Sequence, residues 1–179
     1  MKRLVLCASL LTLAAACTPM GGDTATGVGA GMSADATPTA AMPYVATAGS
    51  SDLYELESSR LALQRAPSPA VKQFAQMMID HHTMTTQQVA QAAQAAGMTP
   101  PPPALLPPHQ ALLDKLQPLN DAAFQRTYLQ QQHTAHQMAL GLHQNYASSG
   151  DTAQLRQVAA TAVPVVQGHI DQLRSLPAR

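Results

Sequence analysis

Four segments between residues 50 and 176 carry apolar side chains at intervals of three and four, and this periodicity constrains the fold more than any other feature of the chain. Such spacing places apolar side chains on one face of an α-helix. Proline or glycine interrupts the periodicity at residues 67–69, at Gly97 with the prolines at 100–103, and at Gly150. Trp is absent and aromatic residues make up 3% of the chain, so Leu, Val, Met and Ala must form the core. The sequence therefore predicts an all-α fold.

The spacing predicts four long helices, over residues 51–65, 68–96, 121–148 and 150–173. Ser51–Asp52 and Ser68 are predicted to cap the first and second helices, and Pro164 is expected to kink or locally break the fourth. The short turns before the second and fourth helices require antiparallel neighbours. A crossover or a small additional helix is predicted in the Pro-rich connection between the second and third. These features together predict an antiparallel four-helix bundle.

The first 17 residues have the layout of a bacterial export signal. Lys2 and Arg3 supply positive charge, residues 4–13 form a short apolar run, and three alanines precede Cys17. The apolar run is shorter than the roughly 20 residues that a spanning helix needs. Residues 1–16 are therefore predicted to be a signal peptide rather than a membrane anchor.

Leu13-Ala-Ala-Ala-Cys17 resembles the bacterial lipobox, with Ala where Leu is usual three residues before the cysteine. The resemblance implies acylation of Cys17 and attachment to a membrane through the lipid. Thr18 after the cysteine favours the outer over the inner membrane. The alternative is a plain secretory signal cut at the same bond, which would leave a soluble periplasmic protein.

Residues 18–49 carry only two charges, Asp23 and Asp35, and consist mostly of Gly, Ala, Thr, Ser, Pro and Met. This composition is typical of a disordered segment. The predicted organisation is a leader at 1–16, a tether at 17–49 and a helical domain at 50–179. An envelope protein is a possible partner of such a domain.

Charge and cysteine content exclude several classes of function. Without the leader the chain has eight basic and ten acidic side chains, so no basic surface favours nucleic acid as a partner. Cys7 and Cys17 are the only cysteines. The helical domain therefore has no disulfide and no cysteine-based metal site.

All seven histidines fall in the helical region, at positions 81, 82, 109, 133, 136, 143 and 169. His82, His136 and His169 lie on the apolar faces of three different helices, with His133 and His143 on or beside the same stripe. His109, in the Pro-rich connection, is expected to be exposed. Imidazoles that converge inside a bundle are a common way to build a transition-metal site.

Three segments, ELESSRLALQRAPSPAVKQFAQMMIDHHT, FQRTYLQQQHTAHQMAL and VPVVQGHIDQL, resemble domain-of-unknown-function family 4142. The resemblance covers about residues 50–176 and implies an exported bacterial protein with a ferritin-like bundle, without a settled activity. His81 departs from the family, in which an acidic residue is common at that place. The family positions carried over are Glu55, Phe74, Ala75, Met78, Asp80, His82, Tyr128, His136, Pro164 and His169.

A di-iron carboxylate centre of the ferritin type is disfavoured. That centre needs a Glu three residues before a His on two helices and a further Glu on each of the other two. Ile79, His133 and Val166 stand at those positions, and Glu55 and Glu57 are the only glutamates of the chain.

A smaller site remains, formed by Glu55, His82, His136 and His169, with Asp80 or His133 as residues that orient the ligands. Three imidazoles and a carboxylate suit Zn(II), Cu(II) or Fe(II). The alternative is a buried polar network that sets the register of the helices. Methionine thioethers are also possible copper ligands. Methionines at helical spacing, however, more often fill a hydrophobic core.

No arrangement of a nucleophile with a base, and no phosphate-binding Gly loop, is visible in the sequence. The sequence thus favours a non-catalytic, membrane-anchored envelope protein with a structural or interaction role. The alternative is a metal-binding or metal-sensing bundle that uses the His/Glu cluster.

Overall fold

The structure is a computed structural model that describes residues 37–177. This part of the chain contains five α-helices and no strand, which confirms the all-α prediction. None of these helices is both long and apolar enough to cross a membrane. The predicted signal peptide and Cys17 lie outside the described residues. The helices are α1 (Ala41–Arg65), α2 (Pro69–Ala95), α3 (Pro107–Leu116), α4 (Asp121–Ser149) and α5 (Ala153–Leu173).

Helix α1 begins well before the predicted start, so the prediction of a tether as far as residue 49 was wrong. Tyr44, Val45 and Ala48 are buried and continue the apolar face of the helix towards its N-terminus. The small residues that resembled a linker belong to a packed helix instead, since a Cβ at Gly49 would lie in contact with Pro103, at 3.4 Å. The predicted cap at Ser51–Asp52 was also wrong, since both residues lie in the middle of α1 and are buried.

Helix α2 has the predicted boundaries to within a residue at each end. Pro69 occupies its first turn, where a missing N–H has no consequence, but the predicted side-chain cap from Ser68 is not formed. At the other end Gly97 adopts a φ of 79°. The amide of Met98 donates to the carbonyl of Ala93 at 3.0 Å, and that of Gly97 to Gln94 at 2.9 Å, which is a Schellman end.

The Pro-rich connection contains the short helix α3, as one of the two sequence-based alternatives predicted. Ser50 on α1 anchors it. Its Oγ accepts the amide N–H of Leu106 at 2.8 Å and lies 2.7 Å from Nδ1 of His109. His109 is 8% exposed and stacks on Tyr54, so the expectation that it would be exposed was wrong. The packing of α3 against α1 covers the ring.

Two apolar clusters mark the ends of the domain. The Tyr44 cluster and the Phe74 cluster each draw on α1, α2, α4 and α5. Helices α1 and α5 run from the Tyr44 cluster to the Phe74 cluster, whereas α2 and α4 run the other way. Helix α1 contacts α2 and α4, and α5 contacts the same two helices, so neighbouring long helices are antiparallel. Helix α5 continues through the exposed Pro164.

The Tyr44 cluster consists of Ala41, Tyr44, Val45, Ala48, Val89, Ala92, Ala93, Leu142, Tyr146, Leu155 and Ala159. The Phe74 cluster consists of Ala62, Ala66, Val71, Phe74, Ala75, Met78, Leu116, Phe124, Tyr128 and Leu173. Along each long helix most buried polar residues fall between these two sets, whereas Gln125 and His143 on α4 lie within them. We refer to Asp52, Glu55, His82, Gln132, His136 and His169 as the middle layer.

Candidate metal centre

Three histidines from three helices meet in the middle layer. His82 on α2, His136 on α4 and His169 on α5 are 5%, 1% and 4% exposed. One ring nitrogen of each lies within 4.8 Å of the other two. The ring centroids are 5.2–5.6 Å apart. The helical periodicity explains this convergence, because each histidine continues the apolar face of its helix.

Asp52 on α1 fixes the orientation of His82. Its Oδ1 lies 2.8 Å from Nδ1 of His82, and its Oδ2 accepts hydrogen bonds from the hydroxyls of Thr85 and Thr86, both at 3.0 Å. A carboxylate that holds the far nitrogen of a histidine is the usual support of a metal ligand. Asp80 was predicted for that role wrongly. It is exposed and accepts a hydrogen bond from Gln76, because it lies on the outer face of α2.

The other two histidines are also held through one ring nitrogen. Nδ1 of His136 lies 2.8 Å from the carbonyl of Gln132, one turn earlier in α4. A carbonyl only accepts, so this nitrogen carries the proton and Nε2 has a lone pair. Nδ1 of His169 lies 3.2 Å from that Nε2, and its own Nε2 lies 2.8 Å from Nδ1 of His81. In the neutral rings without a cation, Nδ1–H of His81 therefore donates to His169, and Nδ1–H of His169 donates to His136. A cation at Nδ1 of His169 requires the other tautomer of that ring, in which Nε2–H of His169 donates to Nδ1 of His81.

Glu55 completes the layer from α1. It is 1% exposed, and its Oε1 lies 3.7 Å from Nδ1 of His136. Among the described residues, Oε2 of Glu55, Nε2 of His82 and Oε1 of Gln132 are buried without a hydrogen-bond partner. Buried polar atoms without partners are rare in native proteins, and a bound ion or an ordered water commonly satisfies such atoms.

Burial and neighbouring charges raise the pKa values of Glu55 and His82 and lower those of His136 and His169. Burial raises the pKa of Glu55 to about 7. Burial and the charge of His82 lower the pKa of His136 to about 3, and burial likewise lowers that of His169. Burial alone would lower the pKa of His82, but the hydrogen bond and charge of Asp52 outweigh it, so that pKa is raised. His136 and His169 are thus neutral and able to donate lone pairs near pH 7.

The donor spacing suits a small cation. Two nitrogens that are each about 2.0–2.1 Å from a tetrahedral ion lie about 3.3 Å apart. Nε2 of His136 and Nδ1 of His169 are 3.2 Å apart. The other separations within the three-nitrogen group do not exceed 4.8 Å.

The structure brings together His82, His136 and His169, three of the four residues predicted from the sequence. Glu55 is buried beside His136 but lies outside the three-nitrogen group. His133 is half-buried and lies outside the three-nitrogen group. Sequence reasoning missed Asp52, which it assigned to a helix cap, and did not place His81 in the group. The spacing of Asp52 three residues before Glu55 was a usable signal, because such residues share a helix face.

His143 belongs to a different part of the molecule. It was predicted at the edge of the same stripe, but its Nδ1 lies 3.0 Å from the hydroxyl of Tyr44, at the Tyr44 cluster. It is 8% exposed, and burial lowers its pKa. The structure thus separates the buried histidines into one convergent group and two isolated residues, His109 and His143.

Solved structures of similar fold include a fragment described as DUF305 from Deinococcus radiodurans, which is 18% identical. The alignment covers 78% of this chain and 95% of that one, with a TM-score of 0.66. CopM in its Cu(II)-bound form is 18% identical over 76% of this chain and 94% of that one, with a TM-score of 0.64. CopM in its Ag-bound form is 18% identical over 76% and 93%, with a TM-score of 0.62. At this identity the likeness concerns the fold.

No curated protein matches the chain. A family model described as "Domain of unknown function (DUF4142)" matches residues 27–176, which includes all five helices and every residue of the middle layer. The resemblance noted in the sequence is thereby confirmed. The chain belongs to the DUF4142 family.

Proposed function

We propose that this protein binds a transition-metal ion, copper foremost, in the middle layer. His82, His136 and His169 would be the nitrogen ligands and Glu55 the oxygen ligand. The observation that carries the proposal is the convergence of three buried ring nitrogens, each on a ring whose other nitrogen is already engaged. Metal-binding histidines have this arrangement, because the outer hydrogen bond fixes the ring and makes the inner nitrogen more basic.

The unpartnered atoms support the choice of ligands. Nε2 of His82 and Oε2 of Glu55 are buried and lack a protein partner. Both are donor types that bind first-row transition metals. Burial favours the protonated form of Glu55, and a bound cation would instead stabilise the ionised carboxylate.

Two considerations favour copper over the other metals that imidazole accepts. Copper(II) has the highest affinity for nitrogen and oxygen sites among the divalent first-row ions. The structurally similar CopM is described in Cu(II)-, Cu(I)- and Ag-bound forms. The site differs from a ferritin di-iron centre because the chain has only two glutamates, and Glu57 pairs with Arg60 at the surface.

The experiment compares thermal unfolding of the full chain with Cu(II), with Zn(II) and with chelator. Cys7 and Cys17 should be replaced by Ser, since thiolates would bind the same ions. Metal at a hundred times its dissociation constant should stabilise the protein by about 2.7 kcal/mol. The variant His136→Ala, His169→Ala should lose this shift, whereas His133→Ala, on the same helix but outside the group, should retain it.

A metal-dependent shift that survives in the double variant would place the ion elsewhere. The absence of a shift in the parent chain would leave the layer as a polar network that sets helix register. Metal content after gel filtration gives an independent measure of the same binding.

We further propose that the domain is a ferritin-like bundle, exported and held at the outer membrane through acylated Cys17. The lipobox-like sequence supports the anchor, and the antiparallel contacts of α1, α2, α4 and α5 support the bundle. Radioactive palmitate should label the wild-type chain in bacteria but not Cys17→Ser. Equal labelling of both would exclude this anchor. Superposition of an experimental structure on a ferritin-like protein checks the bundle.

A further inference from the structure

A surface pocket of about 140 Å³ opens between α2 and α5, next to the middle layer. Helix α2 lines it with His81, Met84, Thr85 and Gln88, and α5 with residues at positions 161, 162 and 165. His81 is half-buried, and Met84 is 50% exposed. The pocket thus combines an imidazole and a thioether at a place that solvent reaches.

The pocket is connected to the buried histidines by two hydrogen-bonded paths. His81 contacts His169 directly, with 2.8 Å between Nδ1 and Nε2. Thr85 donates to Asp52, and Asp52 in turn holds His82. His81 therefore contacts a predicted ligand directly, and Thr85 contacts one through Asp52.

The donor set of the pocket differs from that of the buried site. His81 and Met84 are three residues apart on α2, so their side chains lie on the same face of the helix. Nδ1 of His81 is engaged by His169, which leaves Nε2 as its donor atom. The thioether favours Cu(I) and similar soft monovalent ions, whereas the imidazoles of the buried site accept copper together with zinc and iron.

A second pocket, of about 130 Å³, offers no comparable chemistry. It lies between α1, α2 and the prolines at residues 100–103, and its lining side chains are aliphatic or proline apart from Thr86. It holds no imidazole or sulfur ligand. The contrast singles out the pocket at His81.

We propose that His81 and Met84 form an outer site that captures a soft monovalent cation and passes it to the buried histidines. The transfer is a ligand exchange without a change of oxidation state, in which Nδ1 of His169 replaces the donors of the outer site. Nδ1 of His169 releases its proton, the proton shared by the two rings moves from Nδ1 of His81 to Nε2 of His169, and Nε2 of His81 takes up a proton in place of the cation. Only the transfer rests on the proposed function of the middle layer, because the outer site could capture a cation by itself.

The test uses the full chain with Cys7 and Cys17 replaced by Ser, under anaerobic conditions. Cu(I) is supplied as its coloured bicinchoninate complex, so that loss of colour reports uptake. Met84→Leu should bind about one equivalent fewer than the parent, because the thioether is the selective donor for Cu(I), and should take up the remainder more slowly. The matched control is Met138→Leu, which replaces another exposed methionine, on α4.

Zn(II) binding separates the two proposals. Met84→Leu should leave the equilibrium affinity for Zn(II) unchanged, since Zn(II) does not favour a thioether. His136→Ala, His169→Ala should lose Zn(II) binding but still capture Cu(I) through Met84. If Met84→Leu matched Met138→Leu in both amount and rate of Cu(I) uptake, the outer site would be excluded whether or not the buried site binds metal. If only the rate remained unchanged, transfer through this pocket would be excluded.

Discussion

The middle layer and the Tyr44 cluster both bury histidine, but they differ in how completely the buried polar atoms are hydrogen-bonded. At the Tyr44 cluster, His143 has a hydroxyl partner at 3.0 Å, and Tyr44 stacks on Tyr146 with centroids 3.8 Å apart. In the middle layer, three buried polar atoms lack a hydrogen-bond partner among the described residues. All such atoms found in residues 37–177 belong to the middle layer.

This difference separates a structural histidine from candidate ligands. A buried polar atom without a partner destabilises a protein by about 1–3 kcal/mol, so a layer kept only for stability would be expected to pair its donors and acceptors. The Tyr44 cluster does so, whereas the middle layer leaves unpaired acceptors beside three converging imidazoles. Perturbed and incompletely paired groups concentrate at functional sites.

The largest contrast should appear when leucine replaces histidine in each region. His143→Leu leaves the Tyr44 hydroxyl buried and unpaired, and we expect the free energy of unfolding to fall by about 1–3 kcal/mol. His136→Leu, His169→Leu should lower it less, because both partners of the His136–His169 hydrogen bond are replaced together, which can be nearly neutral. Urea unfolding in chelator measures both. Equal destabilisation by the two changes would remove the distinction between the regions.

Asp52→Asn should lower the affinity of the middle layer for metal by about 10- to 100-fold, the usual effect of changing a residue that orients a ligand. The cause is the loss of the carboxylate charge that supports His82. Asp80→Asn is the matched control, because Asp80 is exposed and contacts Gln76. Competition titration with a coloured chelator measures the affinity. An equal loss in both variants would contradict the role assigned to Asp52.

A smaller effect is expected when pH varies in chelator. The pKa of His136 is lowered from 6.5 to about 3 in the folded protein, so its stabilising contribution is present above pH 6.5 and is lost as pH falls. His136→Gln has no such loss. As pH falls from 6.5 to 5.5, its free energy of unfolding should rise relative to that of wild type by up to about 1.4 kcal/mol. His133→Gln serves as the control for losing a histidine outside the group. A constant difference between His136→Gln and wild type would contradict the burial of a neutral His136.

The smallest expected effect is the pH dependence due to Glu55, which runs in the opposite direction to that of His136. Its pKa is raised from 4.5 to about 7, so the stability that it contributes at low pH is lost as pH rises towards 7. Glu55→Gln should therefore become more stable relative to wild type between pH 6 and 7, by less than about 1.4 kcal/mol. Melting curves in chelator test this, with Glu57→Gln at the surface as the control. A falling relative stability of Glu55→Gln would show that the carboxylate is ionised and favourably paired.

The sequence predicted those parts of the fold that depend on periodicity and on chain breakers. The boundaries of α2 and α4 and the convergence of His82, His136 and His169 follow from three-and-four spacing and from Gly97 and Gly150. The start of α1 was missed because Gly49, Ser50 and Ser51 have the composition of a linker. They lie instead in a packed helix that the proline segment and α3 contact.

Asp52 was missed for the same reason, since a misplaced helix start turned a buried carboxylate into a cap. His81 contacts His169 across 88 positions of sequence, and periodicity within one helix cannot reveal which helix lies opposite. Contacts between helices depend on how the helices rotate against one another in the packed core.

The middle layer joins parts of the chain that are distant in sequence. Asp52 and His82 are 30 positions apart, and His136 and His169 are 33 apart. A cation held by all four long helices would therefore close several large loops at once, as a set of covalent cross-links does. While the cation stays bound, the chain would gain less conformational entropy on unfolding, so the folded state would be favoured. In a domain without a disulfide, such a cross-link would be reversible. Occupancy would then determine how readily the domain opens to proteases.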